Sequence, residues 1–204
     1  MGSFDKQHSS SDERNVEHFT DLSGQFLLAM PGVDSDLFNG TVIYLFEHSP
    51  EGAGGVIVNR ATDIELSDLV ERFELEAPAD YVNKTIFFGG PVQPMRGFVL
   101  HPPLKTADDD GTTSHKDELL QISNSSDMLQ DYLLGKGPED VFICFGYAGW
   151  DEGQLERELR ENVWLTVPAD HDLIFKRPPY DCYQAALASL GIDISHLSTQ
   201  AGHA

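Results

Sequence analysis

Glu47 and His48 stand side by side at the end of the apolar run Thr41–Glu47 (TVIYLFE). A carboxylate beside an imidazole is the pair that general acid–base catalysis and metal ligation both use. With His101 and Asp151 converging on them, they would hold a divalent metal for hydrolase or transferase chemistry. The plainer alternative is that both side chains hydrogen-bond the backbone of the turn that follows. That turn runs into Gly52-Ala53-Gly54-Gly55. Glycines there can cradle an anion on backbone N–H groups. They lack the Lys-Ser/Thr of a phosphate loop and the G-x-G-x-x-G spacing of a dinucleotide fold. A hairpin that needs positive φ uses the same residues.

A second constellation is Gly149-Trp150-Asp151-Glu152-Gly153-Gln154, which enters a helix. A helix N-terminus attracts anions, but Asp151 and Glu152 already place negative charge there. The alternative is a capped corner with Trp150 filling core. Asp108-Asp109-Asp110-Gly111 partly matches a calcium loop, yet Thr106 and Asp117 fall where the first and last ligands belong. It reads instead as a solvated acidic loop. His101, before Pro102-Pro103, reads as a hydrogen-bonded structural histidine. Cys144 lies mid-strand and is expected to be inert core. Cys182 falls in the first turn of a helix, where the dipole can lower a thiol pKa. Neither belongs to a C-x-x-C pair, and no serine sits in a G-x-S-x-G context. No catalytic set is complete, so no catalytic residue, metal or cofactor is predicted.

The elements that must position these residues follow from periodicity and turn chemistry. Strands are predicted over Leu22–Met30, Thr41–Glu47 and Val56–Asn59, the last two forming a hairpin with a long glycine-rich loop. Thr62 and Glu65 fit a capping box, before Leu66, Leu69, Val70 and Phe73 on one helix face. Short strands are predicted over Thr85–Phe88 and Phe98–His101, flanking Gly89-Gly90-Pro91-Val92, and over Leu119–Ile122. Ser126 caps a helix carrying Leu129, Tyr132 and Leu133. Val141–Tyr147 is the strongest buried strand, and Gly149-Trp150-Asp151 is expected to turn the chain. Asp151 and Gln154 cap a helix with Leu155 and Leu159. Trp164–Val167 and Leu173–Phe175 read as strands. Pro178-Pro179 opens a last helix, with Tyr183, Ala186, Leu187 and Leu190 on one face and Gly191 as its stop.

No internal repeat or linker divides this pattern. One α+β domain is expected over residues 21–194, with residues 1–20 a disordered tail and 195–204 a flexible one. No apolar stretch marks a secretory signal or a membrane span. The chain has 204 residues, 34 acids against 13 Lys and Arg, and a net charge of −21. Its basic residues are scattered, and no basic recognition helix is visible. That argues against direct nucleic-acid binding. High acidity also discourages self-association, so a monomer is expected.

Five blocks carry a resemblance. Leu28-Ala29-Met30-Pro31-Gly32 precedes Gly40–His48 and Gly55-Val56-Ile57-Val58-Asn59-Arg60. Phe88-Gly89-Gly90-Pro91-Val92 and Gly146–Trp150 through Gly153–Glu156 follow. In this order they resemble the AlgH-like (YqgE/AlgH) family of bacteria, from about residue 21 to about residue 194. The resemblance implies a mixed, partly barrel-like sheet surrounded by helices, and a cytoplasmic protein. It implies little chemistry: the family carries a transcriptional-regulator label without an established mechanism. Many members have Cys where this chain has Phe46, so a thiol role at that position cannot operate here. The candidate ligand or partner site is therefore Glu47, His48, Gly52, Gly54, Gly55, Asn59, Gly89, Gly90, Gly149, Trp150, Asp151 and Gln154. The expected function is a regulatory or accessory one, exercised through a small ligand or a protein partner, without direct nucleic-acid or membrane binding. Replacing His48 or Trp150 with Ala is expected to weaken binding more than stability. The alternative is the metal-assisted hydrolase or transferase using Glu47 and His48.

Overall fold

The computed structural model describes residues 19–31, 36–72, 84–103, 120–123, 126–134 and 138–192. The expected tails lie mostly outside these residues, as do Phe73 and the Asp108–Gly111 loop. Along them run β1 (Gln25–Ala29), β2 (Val42–Ser49), β3 (Gly52–Ile57), β4 (Ala61–Glu65), α1 (Leu66–Arg72), β5 (Thr85–Phe88) and β6 (Val92–His101). Then come β7 (Gln121–Ser123), α2 (Ser126–Leu133), β8 (Phe142–Asp151), α3 (Gln154–Arg160), β9 (Trp164–Pro168), α4 (His171–Phe175) and α5 (Pro179–Ser189).

The strands form one mixed sheet in the order β4-β5-β8-β3-β2-β1-β9, with β6 and β7 branching from β8. The hydrogen-bonded path stays open between β4 and β9, so the expected barrel character stops short of closure. The β5–β8 pair is parallel, whereas β1–β2, β2–β3, β3–β8 and β6–β8 are antiparallel. With its helices set beside it, the molecule is a single α+β domain.

Three apolar clusters fill the faces. Phe26, Leu28, Val42, Tyr44 and Val56 meet Leu173, Ile174, Ala186 and Leu187 of α4 and α5. Leu27, Ala29, Ile43, Leu45 and Ile57 meet Leu155 of α3 on the opposite face. Ile86, Val99 and Ile143 meet Leu66 of α1 and Leu133 of α2. β1 is buried on both faces, which is why its sequence is a continuous apolar run rather than an alternation.

β8 organises the sheet by changing neighbours along its length. Ile143–Phe145 lies between β5 and β6, while Ala148–Asp151 pairs with Gly55–Gly52. At the changeover Gly146 has φ +73° and Gly90 has φ +153°. A Cβ on Gly90 would overlap the Tyr147 carbonyl, and one on Gly146 would overlap the Gly90 carbonyl. Only glycine lets two backbones cross that closely. The Gly89 carbonyl accepts from Ile57 N–H at 2.8 Å, and Gly89 N–H donates to Phe145 O at 2.8 Å.

Several expectations are corrected. The hairpin is real, but its loop is only Pro50-Glu51, and Gly52, Gly54 and Gly55 are strand residues paired on both sides. Gly149-Trp150-Asp151 continues β8 instead of turning the chain. Thr62 lies in β4 and donates to Ile86 O, so it caps nothing; the Asp68 carboxylate accepts Glu65 N–H at 2.8 Å in its place. Leu173–Phe175 belongs to a helix, because Asp170 accepts the N–H groups of Asp172 and Leu173 and nucleates that turn. An apolar run of three residues carries no periodicity that could separate strand from helix.

Candidate functional site

β2 decides which residues can act together. Val42 and Tyr44 face α4 and α5, and Ile43 and Leu45 face α3. Strict alternation would send Glu47 to the Leu45 side and His48 to the Phe46 side. The register shifts between Leu45 and Glu47, however: Leu45 pairs with Gly55 and Glu47 with Gly54, leaving Phe46 as an extra residue. This β-bulge inverts the parity of everything after it. Phe46, Glu47 and Ser49 now share one face, while His48 is buried on the other. Gly54 makes room for the bulge, since a Cβ there would lie 2.8 Å from the Phe46 ring.

The first face carries an open cleft of about 770 Å³, lined by the β2–β3 hairpin, β6, β7 and β8. Its floor is aromatic. Phe46 stacks on Phe98 at 6.0 Å, and Tyr147 meets their edges at 6.3 and 5.8 Å. The guanidinium of Arg96 sits 5.3 Å over the Phe98 ring and donates to Gln93 Oε1 at 3.1 Å. Glu47 and Glu51 bring two carboxylates, and Ser49 and Ser123 bring hydroxyls. Arg96 lies in Gln93–Arg96, the irregular stretch of β6 that bulges between the Val92↔Tyr147 and Gly97↔Phe145 pairs.

His48 belongs to a different structure. Its Nδ1 accepts Leu22 N–H at 3.0 Å, and its Nε2 lies 3.0 Å from Glu156 Oε1. A backbone N–H can only donate, so Nδ1 is unprotonated and Nε2 carries the hydrogen given to Glu156. Phe19 covers the imidazole at 4.7 Å. The ring thus fastens the segment before β1 to α3. Glu47 and His48 do not converge, which removes the pairing on which the metal-assisted reading rests. Among the described residues no group of three or more His, Cys, Asp and Glu is placed to hold a metal ion.

Trp150 lies on the His48 side. Its indole N–H donates to Glu158 at 2.9 Å, as that of Trp164 does at 2.7 Å, and Gln154 Nε2 donates to the other carboxylate oxygen at 2.9 Å. Glu158 is therefore an anchor for two tryptophans. The sequence does not single it out, because the indoles that reach it come from β8 and β9. Gln154 also accepts Asp151 N–H at 3.0 Å, but the residue at the α3 cap is Gly153 and no side chain caps the helix, so the expected Asp151 cap is not formed.

The remaining candidates have structural places. Asn59 bridges Val42 N–H and Gly40 O, both at 2.9 Å, and pins the entry to β2. Gly55 is packed against Ile43, and Gly89 and Gly90 make the backbone crossing. Gly149 lies against the Tyr147 ring. His101 is buried, with Nδ1 on Pro102 O and Nε2 on Ser123 Oγ, and is structural as expected. Of the predicted set, Glu47, Gly52, Gly54 and Trp150 border the cleft. Trp150 does so while its indole points away to Glu158. Arg96, Phe98 and Tyr147 lie outside the predicted set, since neither a lone arginine nor a strand aromatic gives a sign of which rings it will join.

Burial pushes both thiols up. Cys144 is driven far above the usual range by desolvation alone. Cys182 is also raised, with desolvation outweighing the pull of Arg177. Its Sγ donates to Leu173 O. The activated thiol expected at a helix N-terminus is thus replaced by a protonated core residue.

The sequence profile of the AlgH-like family matches residues 26–195. A UPF0301 protein of Bordetella avium is 48% identical over 187 residues, spanning 91% of this chain and 93% of its own. One from Thioalkalivibrio sulfidiphilus is 43% identical, spanning 91% and 98%. The solution structure of AlgH from Pseudomonas aeruginosa superposes with a TM-score of 0.70 at 41% identity, covering 98% of this chain and all of that one. A crystal structure from Corynebacterium diphtheriae has a TM-score of 0.68 at 19% identity and shares the fold. Profile, relatives and fold coincide over nearly the whole described length, and the chain belongs to the AlgH-like family.

Proposed function

We propose that this chain is a cytoplasmic binding protein with an accessory or regulatory role, and that the aromatic-floored cleft is its ligand site. The observation that carries this reading is the bulge at Phe46. It turns Phe46, Glu47 and Ser49 together into a cleft whose size matches small-molecule sites of about 300–1,000 Å³. A sheet needs no such irregularity to pack, and bulges recur where a strand re-aims side chains. Any effect on transcription would run through that ligand, because the net charge of −21 disfavours contact with DNA phosphates.

The test is a thermal-shift screen of metabolites on the full chain, beside a Ser49→Trp variant that fills the cleft. A ligand at about 100 times its Kd adds about 2.7 kcal/mol, which for this size raises Tm by about 5–10 °C. Hits lost in Ser49→Trp support the site. Hits that survive it place binding elsewhere and overturn the reading.

A further inference from the structure

We infer that the ligand of this cleft is a small organic cation, an ammonium or guanidinium group on an apolar or aromatic body. The inference rests on the binding-cleft reading and adds the chemical class.

Three observations converge on positive charge. First, the aromatic floor already holds a cation, the Arg96 guanidinium, 5.3 Å over Phe98. The negative face of a ring attracts any cation placed there. Second, Glu47 and Glu51 stand at the same cleft, exposed, and among the described residues neither carboxylate has a partner. An incoming anion would meet both and would find Arg96 as the single cationic lining residue described. Third, the chain carries −21, so its field concentrates cations at a cleft whose own lining is net acidic.

Arg96 therefore occupies the position a cationic ligand would take. It is exposed and lies in the bulged stretch of β6, where its described polar tie is Gln93. A ligand cation would displace it from Phe98 and settle between that ring and the carboxylates. This gives a signed prediction. Removing Arg96 empties the ring face and deletes a like charge, so it tightens cation binding. An anionic ligand would instead use Arg96 and lose affinity without it.

The experiment is an NMR titration of the full chain with benzylguanidinium, benzyl alcohol and phenylacetate, read at Phe98, Ile122 and Tyr147. Benzylguanidinium is expected to shift these signals to saturation, with phenylacetate at least about tenfold weaker. Arg96→Ala should tighten benzylguanidinium by about two- to fivefold, the scale of an exposed cation–π contact. Glu47→Gln should weaken it by a similar factor. The amide spectra of both variants report whether the fold is kept. Phenylacetate binding more tightly, or benzylguanidinium affinity falling or standing unchanged in Arg96→Ala, overturns the cation inference and leaves the cleft a ligand site. Silence from all three probes at millimolar concentration removes both readings.

Discussion

At the residue scale, His48 is structural, and the cleft is built from Glu47 together with less conspicuous side chains. His48 satisfies Leu22 N–H and Glu156 from a buried position. His48→Ala leaves both partners unmatched and is expected to cost about 1–3 kcal/mol. Ligand affinity at the cleft should not change, because the imidazole lies on the other side of β2. Urea unfolding beside a ligand titration separates the two effects. Glu158 accepts three N–H donors, two of them indoles. Glu158→Gln sets an amide N–H against one of those donors, at a cost of about 1–3 kcal/mol. That lowers Tm by about 2–4 °C per kcal/mol, and a thermal melt with no change would mean that the indoles find other acceptors.

At the element scale, the fold depends on two devices that spacing does not announce. One is the crossing at Gly89-Gly90 and Gly146, through which β8 passes from β5 to β3. Gly90→Ala meets the Tyr147 backbone and a φ of +153° together. A loss of about 3 kcal/mol or more is expected, read as a lower urea midpoint or no folded protein. The other is the bulge at Phe46 opposite Gly54. Gly54→Ala drives a Cβ into the Phe46 ring. Combining it with Phe46→Leu should recover part of the loss, a coupling of about 0.5–3 kcal/mol in a double-mutant cycle. Strict additivity would mean that the ring does not depend on the glycine.

At the scale of the whole molecule, charge and titration set the working range. The thiols of Cys144 and Cys182 and the phenol of Tyr183 are all raised by burial. A raised acid keeps its proton longer folded than unfolded, so its contribution is complete below the unfolded pKa. Stability should therefore fall as pH rises past about 8.5–10, the range of the unfolded groups. On the acid side, hydrogen bonds from Ser23 hold Asp21 below its usual range, and those from Lys176 and His171 do so for Asp172. Their contributions fade as pH drops below about 4. Urea midpoints from pH 3 to pH 11 should trace a dome, with a shallower alkaline limb in Cys144→Ala. With −21 net charge, no salt-sensitive complex with duplex DNA is expected by fluorescence anisotropy at physiological salt.

Periodicity and composition were enough for the α+β class, most of the strands and helices, the buried Cys144 and the acidic character. Each of these depends on local patterns: β-branched runs for β2, a one-faced apolar stripe for α5, charges that simply add. The resemblance blocks also marked Gly89, Gly90 and Asn59 as special, without saying why. Tertiary structure decided everything that depends on which side of a strand a residue faces. Glu47 and His48, as neighbours on a strand, face opposite sides in either register, and the single extra residue at Phe46 decided that Glu47 is the one turned into the cleft. The pairing of β8 with β3 and β6 brought Arg96, Phe98 and Tyr147 to Phe46 from strands distant in sequence. Register is a property of two paired strands, and a slip of one residue on either inverts every side chain beyond it.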